Sequence, residues 1–235
     1  MKKTLFLLLL TVPFIFQSCG DGDDIKHKAP AELTLYHGET YEINASSEHP
    51  ISYSSENDFV ADVTQRGVIE AITIGETTII MDNKKVQETI KVTVPAKYSN
   101  VFPDPILNWS LEKEDIISSL GEPYSEEETE DYDAIYYLAP FANDCMIQYI
   151  YLFHKEYGIF RGVNMLILDP TSSVKNIEEF IAERYRLHEE SVSEDGYSVR
   201  YYSNAYAYYS GTIKVTTIDY RDHPDGGFFY IGYGR

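Results

Sequence analysis

The sequence predicts an all-β sandwich followed by a domain of α+β class, in which helices pack on an antiparallel sheet. Three observations carry that prediction. Residues 31–95 break into short runs of alternating apolar and polar residues, separated by turn signals about every 8–12 positions. Beyond about residue 106 a stretch with helical spacing precedes three strand-like runs, and the order then repeats. Most of the 21 tyrosines fall in this later part, and tyrosine favours strands because its ring covers a sheet face while the hydroxyl stays wet.

The chain opens with Lys2-Lys3, an apolar run from Thr4 to Phe16, and Gln17-Ser18-Cys19. A basic start, a short apolar stretch and a small residue before cysteine match a secretory segment over 1–18, and the run is too short for a spanning helix. The Gln17-Ser18-Cys19 junction resembles the lipobox of bacterial lipoproteins. That resemblance implies cleavage before Cys19 and lipidation of Cys19 with palmitate-type acyl chains, which anchor at roughly 0.8 kcal/mol per buried methylene. Gly20-Asp21-Gly22-Asp23-Asp24 follows, then Lys26-His27-Lys28 and Pro30. Residues 19–30 are expected to form an extended acidic tether holding the next domain about 15–20 Å from lipid. The acidic tract resembles the export signal of lipoproteins displayed on the outer face of the outer membrane.

Residues 31–95 supply the sandwich. Leu33 and Leu35 precede Gly38-Glu39-Thr40, Tyr53-Ser54-Ser55-Glu56-Asn57 precedes Val60-Ala61-Asp62-Val63, and Gly67-Val68-Ile69-Glu70-Ala71 leads to Gly75-Glu76-Thr77-Thr78-Ile79. The order and spacing of these pieces resemble the bacterial Ig-like family, group 2, with Tyr53 where many members carry tryptophan. The resemblance covers roughly 65 residues and implies a spacer or adhesion module. Gly38, Gly67 and Gly75 sit where hairpins need positive φ or close chain approach.

Pro95, Pro103 and Pro105 punctuate a stretch without periodicity, so 96–105 is expected to be a linker. In 106–235, Ser110 is expected to cap a helix carrying Leu111, Ile116, Ile117 and Leu120, stopped by Gly121 and Pro123. An acidic loop over 126–133 follows, then strands at about 134–139, 145–154 and 159–168. A second helix begins after Asp169-Pro170 with Val174, Ile177, Phe180, Ile181 and Tyr185 on its stripe, and strands are expected at about 197–203, 205–209, 212–220 and 227–233. Two copies of a helix followed by an antiparallel meander bury both apolar faces. The layout resembles the β-lactamase-inhibitor-protein-like architecture.

Charge excludes one class of partner. Lys+Arg number 19 against 38 Asp+Glu, and loss of Lys2 and Lys3 takes the net charge from −19 to about −21. Nothing here builds the basic stripe that nucleic acid requires. Of the two cysteines, Cys145 has no partner once Cys19 is acylated, and it opens an apolar run where cysteine acts as a small buried hydrophobe. The His–carboxylate groupings His154/Glu156, His188/Glu189/Glu190 and His223/Asp225 lack metal-ligand spacing. The acidic run 126–131 lacks the ligand alternation of a calcium loop. No GxSxG or Walker motif is present. The expectation is therefore a non-catalytic protein without cofactor or metal.

The candidate binding residues are Tyr201, Tyr202, Tyr206, Tyr208 and Tyr209, expected to coat an exposed sheet face that stacks on sugar rings or anchors a protein. The sequence reading is a lipid-anchored envelope lipoprotein whose C-terminal domain binds a protein or glycan. A periplasmic assembly component and a hydrolase acting on envelope or external polymers stand as alternatives.

Overall fold

The computed structural model describes residues 23–99, 101–140, 146–168, 174–206, 212–221 and 227–235. Among these the chain is predominantly β, with only two short helices and sandwich-like sheets. The N-terminal part contains β1 (Lys26–His27), β2 (Glu32–Thr34), β3 (Thr40–Glu42), β4 (Ala45–Ser46), β5 (Ser52–Ser55), β6 (Ala61–Val63), β7 (Val68–Ala71), β8 (Gly75–Asp82) and β9 (Gln87–Val94). A four-stranded sheet runs β2-β9-β8-β5, with β2 parallel to β9, and a three-stranded sheet runs β3-β7-β6. Alternation decides what meets between them. Ile79, Met81, Ile90 and Val92 from the larger sheet share one buried cluster with Val63, Ile69 and Ala71 from the smaller. Gly67 has φ of +79°, and a Cβ there would stand 3.1 Å from both the Ile43 carbonyl oxygen and the Tyr53 ring. Only glycine meets both conditions without displacing the core.

The folded part starts earlier than the sequence suggests. Ile25 is buried in this cluster, β1 pairs with β4, and Asn83 Nδ2 donates to the Asp23 carbonyl at 2.6 Å. Residues 25–30, expected in the tether, therefore belong to the sandwich. One buried isoleucine between charged neighbours leaves no period to read.

The C-terminal part is one antiparallel sheet with two helices. Helix α1 (Lys113–Leu120) precedes β10 (Ser125–Glu128), β11 (Tyr132–Pro140), β12 (Met146–His154) and β13 (Phe160–Leu168). Helix α2 (Val174–Ala182) precedes β14 (Arg186–Val192), β15 (Ser198–Ser203), β16 (Lys214–Asp219) and β17 (Phe228–Gly234). The strand order is β10-β11-β12-β13-β17-β16-β15-β14, so two four-stranded meanders join through their last strands. Four strands per half, not the expected three in the first, follow because the acidic run pairs along β11 as an edge strand. Its residues are exposed on both faces, so ladder hydrogen bonds hold it without any apolar pattern. The other edge, β14, is equally polar and equally unannounced. The strand expected at 205–209 is absent over 205–206, and 207–211 lie outside the described residues.

Ile116, Ile177, Phe180 and Ile181 share a buried cluster with Ile147, Tyr149, Met165, Phe229 and Ile231, so both helices cover the same sheet face. Helix α1 is capped by Glu112 and Asp115, with the Glu112 N–H donating to Asp115 Oδ2 at 3.0 Å. Ser110, the expected cap, instead donates to the Asn108 side chain.

The stretch 96–105 is not a free linker. Phe102 is buried in the C-terminal core, and the Tyr149 hydroxyl donates to the Pro103 carbonyl at 2.6 Å. Glu183, 1% exposed, accepts the Lys97 and Tyr98 backbone N–H groups at 2.9 and 3.1 Å, and Arg184 Nη1 donates to the same carboxylate at 2.5 Å. The Ile74 N–H donates to the Glu183 carbonyl at 2.7 Å. One residue thus ties the first module, the connecting strip and α2 together. The core of the C-terminal part therefore begins before residue 106, with Phe102 in it.

Candidate functional site

Two surfaces of the C-terminal part carry the candidate residues. The first is the sheet face opposite the helices. Cross-strand register places Tyr136, Ile150, Asn164, Gly232, Thr216 and Tyr201 in one continuous row from β11 to β15. The adjacent row runs Leu138, Gln148, Leu166, Tyr230, Ile218 and Val199. Alternation sends their neighbours Ile135, Tyr149, Met165 and Ile231 under the helices. The open side therefore mixes aliphatic side chains with rings and amides, and these two rows carry no formal charge.

Tyr230 is the fixed point of this face. A Cβ at Gly232 would lie 2.9 Å from Tyr230 Cζ and 3.1 Å from Cε1, so the ring is spread over the glycine instead of standing off the sheet. Its hydroxyl donates to Asn164 Oδ1 at 2.9 Å. Burial pushes its phenol above the ordinary tyrosine value. Tyr136 donates to Glu127 at 2.6 Å, and that hydrogen bond, with some desolvation, pushes its phenol up to about 12.

The expected tyrosine patch does not form as one set. Tyr201 is 42% exposed on the open face, whereas its neighbour Tyr202 is 5% exposed and packs in the core under the helices. Adjacent strand residues point to opposite faces, so the pair could never share one. Tyr206 lies on the module boundary: its hydroxyl donates to the Asp58 carboxylate, and its ring meets Phe59 edge-on at 4.7 Å. Tyr208, Tyr209, Cys19 and Cys145 lie outside the described residues, as does the His223/Asp225 pair. Tyr230 and Tyr136 were missed as site residues, and the signal for Tyr230 was its position two before Gly232 in an alternating strand.

The remaining candidates are accounted for by pairing. Glu126 binds Lys113, Glu128 binds Lys155, and Glu127 takes the Tyr136 hydroxyl. His188 bonds the Ser203 hydroxyl at 2.6 Å, and His154 accepts the Glu156 N–H at 3.2 Å within a turn. Among the described residues no group of three or more His, Cys, Asp or Glu side chains could hold a metal ion.

The second surface is a cleft of about 520 Å³ between the modules. Its walls include His37 and Glu70 from the sandwich and Glu178, Arg186, Arg200 and Tyr202 from the sheet and α2. Arg200 is held by Glu178 at 2.7 Å and by Glu190 at 3.0 Å. Arg186 lies over the Phe59 ring at 5.6 Å and donates to the Asp58 carbonyl at 3.3 Å. Arg186 thus reaches across the joint, whereas Arg200, Glu178 and Glu190 pair within the C-terminal part.

Neither a protein-family model nor a curated protein matches the chain. Among solved structures, domains 5–6 of the S-layer protein SbsC are similar at 12% identity, over 90% of this chain and 86% of that one, with a TM-score of 0.25. A score of that size carries nothing about shared fold or function.

Proposed function

We propose that this chain is a lipid-anchored, cell-envelope binding protein without catalytic activity. In this reading Cys19 carries the anchor, an Ig-like sandwich of the bacterial group 2 kind sets the stand-off, and a helix-on-sheet α+β domain of β-lactamase-inhibitor-protein-like layout holds a protein or glycan. The observation that carries it is the division of the eight-stranded sheet: one face is sealed by α1 and α2, and the other presents Tyr136, Tyr230 and Tyr201 with Gln148 and Asn164 between aliphatic side chains. Rings and amides on a rigid layer suit recognition. The hydrolase alternative needs a carboxylate free to move a proton: in the cleft Glu178 holds Arg200, which leaves Glu70 and Glu179 as the carboxylates that reading would have to use.

The test is fractionation and protease shaving of cells making the full chain or Cys19→Ala. The expected result is loss of Cys19→Ala from the membrane fraction and removal of the wild-type C-terminal part by external protease. Retention of Cys19→Ala in the membrane overturns the anchor. Protection from protease moves the protein to the periplasm and favours the assembly role.

A further inference from the structure

We infer that the open sheet face seats a neutral polysaccharide chain across β12, β13, β17 and β16, an assignment that rests on the binding reading above. Three features of the face narrow the occupant. First, the rows Gln148-Leu166-Tyr230-Ile218 and Ile150-Asn164-Gly232-Thr216 contain no formal charge. The cation nearest these rows on β16 is Lys214, two residues before Thr216, and a chain with net charge −19 repels a polyanion at longer range. The same repulsion opposes a second copy of this chain, whose face would bring its own acidic edges, Glu126 to Glu128 and Glu189-Glu190, against these.

Second, the aromatic group is held. The outer end of the Tyr230 ring lies against Gly232 and its hydroxyl is pinned to Asn164 Oδ1 at 2.9 Å, so the ring is already fixed on this face and a ligand that stacks on it meets no further cost in side-chain entropy. A protein anchor needs a pocket to enter or a protruding side chain to grip. A sugar ring needs a flat π-face for its C–H groups and amides at the ring margin for its hydroxyls. Asn164 and Gln148 stand one and two strands from Tyr230, which supplies both.

Third, the footprint is extended. Four adjacent strands span about 14 Å at the usual strand spacing, enough for a few linked sugar rings but long for a single one. Thr216 continues the polar line on the far side of Gly232, and Tyr201 closes the same row on β15.

Affinity electrophoresis of the full chain in non-ionic detergent tests this, with gels containing hydroxyethylcellulose, galactomannan or dextran, and with polygalacturonate as the anionic comparison. The expected result is retardation by at least one neutral polymer, weakened about tenfold in Tyr230→Ala, as loss of a stacking ring does elsewhere. Tyr230→Phe keeps the ring and is expected to keep most of the retardation, and matching melting curves exclude loss of fold. Absence of retardation in every neutral gel, or retardation by polygalacturonate alone, overturns the assignment. Retardation unchanged in Tyr230→Ala overturns the placement on this face while leaving a binding protein standing. Shortening of the polymer on incubation overturns both readings. Concentration-dependent dimers that vanish in Tyr230→Ala give the face to a second copy and overturn the glycan.

Discussion

On the covered face of the eight-stranded sheet the Tyr149 hydroxyl donates to the Pro103 carbonyl, Tyr137 donates to the Gly121 carbonyl at 2.8 Å, and Tyr151 accepts the Ile106 N–H at 3.2 Å. On the open face Tyr136 and Tyr230 bond side chains of their own sheet, Glu127 and Asn164. The covered rings reach out of the sheet and fasten the layer above it to their hydroxyls. The open rings turn back and lie against their own strands. The contrast explains why one domain holds so much tyrosine: a ring that fills a core and still satisfies a backbone group at its tip does what leucine cannot.

Substitutions that treat the faces unequally give the largest expected effect. Phe229→Ala, on the covered side of the central strand β17, should cost about 3–5 kcal/mol through a cavity beneath the helices. Tyr201→Ala, on the open side, should stay within about 0.5 kcal/mol. Urea unfolding of both full-length variants checks the ratio, and equal losses would mean that something covers the open face. Next in size is Glu183→Ala. It strands two backbone donors of the connecting strip and Arg184 beside a buried site, and is expected to cost about 3 kcal/mol and to split one thermal transition into two. A single transition at the wild-type temperature would show that the modules are joined by other contacts.

The smallest effect separates two phenols that titrate alike for different reasons. Tyr185, in the covering layer, is pushed from 10.0 to about 12 by burial, and Tyr136 to about 12 chiefly by its hydrogen bond to Glu127. A phenol raised on folding favours the folded state fully below pH 10, and that contribution is lost as pH rises toward 12, because the unfolded chain ionises first. Glu127→Gln should move Tyr136 back toward 10 in a phenolate absorbance titration, leave Tyr185 in place, and change stability by less than about 0.5 kcal/mol. Movement of both would mean that the faces are electrostatically coupled.

How much of this could be read beforehand depends on whether a residue's partner is local. The apolar run 146–153 marks β12 as a strand but not its two faces, which alternate only in burial, and Ile177, Phe180 and Ile181 mark the covered stripe of α2. The edges β10 and β14 escape because an edge strand exposed on both sides has no apolar period. Phe102 escapes because a single buried ring between prolines looks like linker. Glu183 escapes for a deeper reason: it is buried by the other module, which no pattern within α2 can record. At the candidate site the excess of tyrosine was legible, but its division was not. Tyr201 and Tyr202 separate by strand parity alone, while the fixed position of Tyr230 needs the glycine two residues on and the asparagine on the neighbouring strand.

The order in which the chain is made bears on how the sheet can close. Strand β17 is the latest of the described strands in the chain and sits at the centre of eight, between β13 and β16. Until it emerges, the four strands β10–β13 and the three strands β14–β16 each expose an unpaired inner edge, and the apolar side chains of β13 have no neighbour on that side. Its insertion joins partners far apart in the chain, a slow kind of closure that keeps a nascent chain open. Removing Phe228–Gly234 would therefore leave the two half-sheets without the strand that pairs with the inner edge of each.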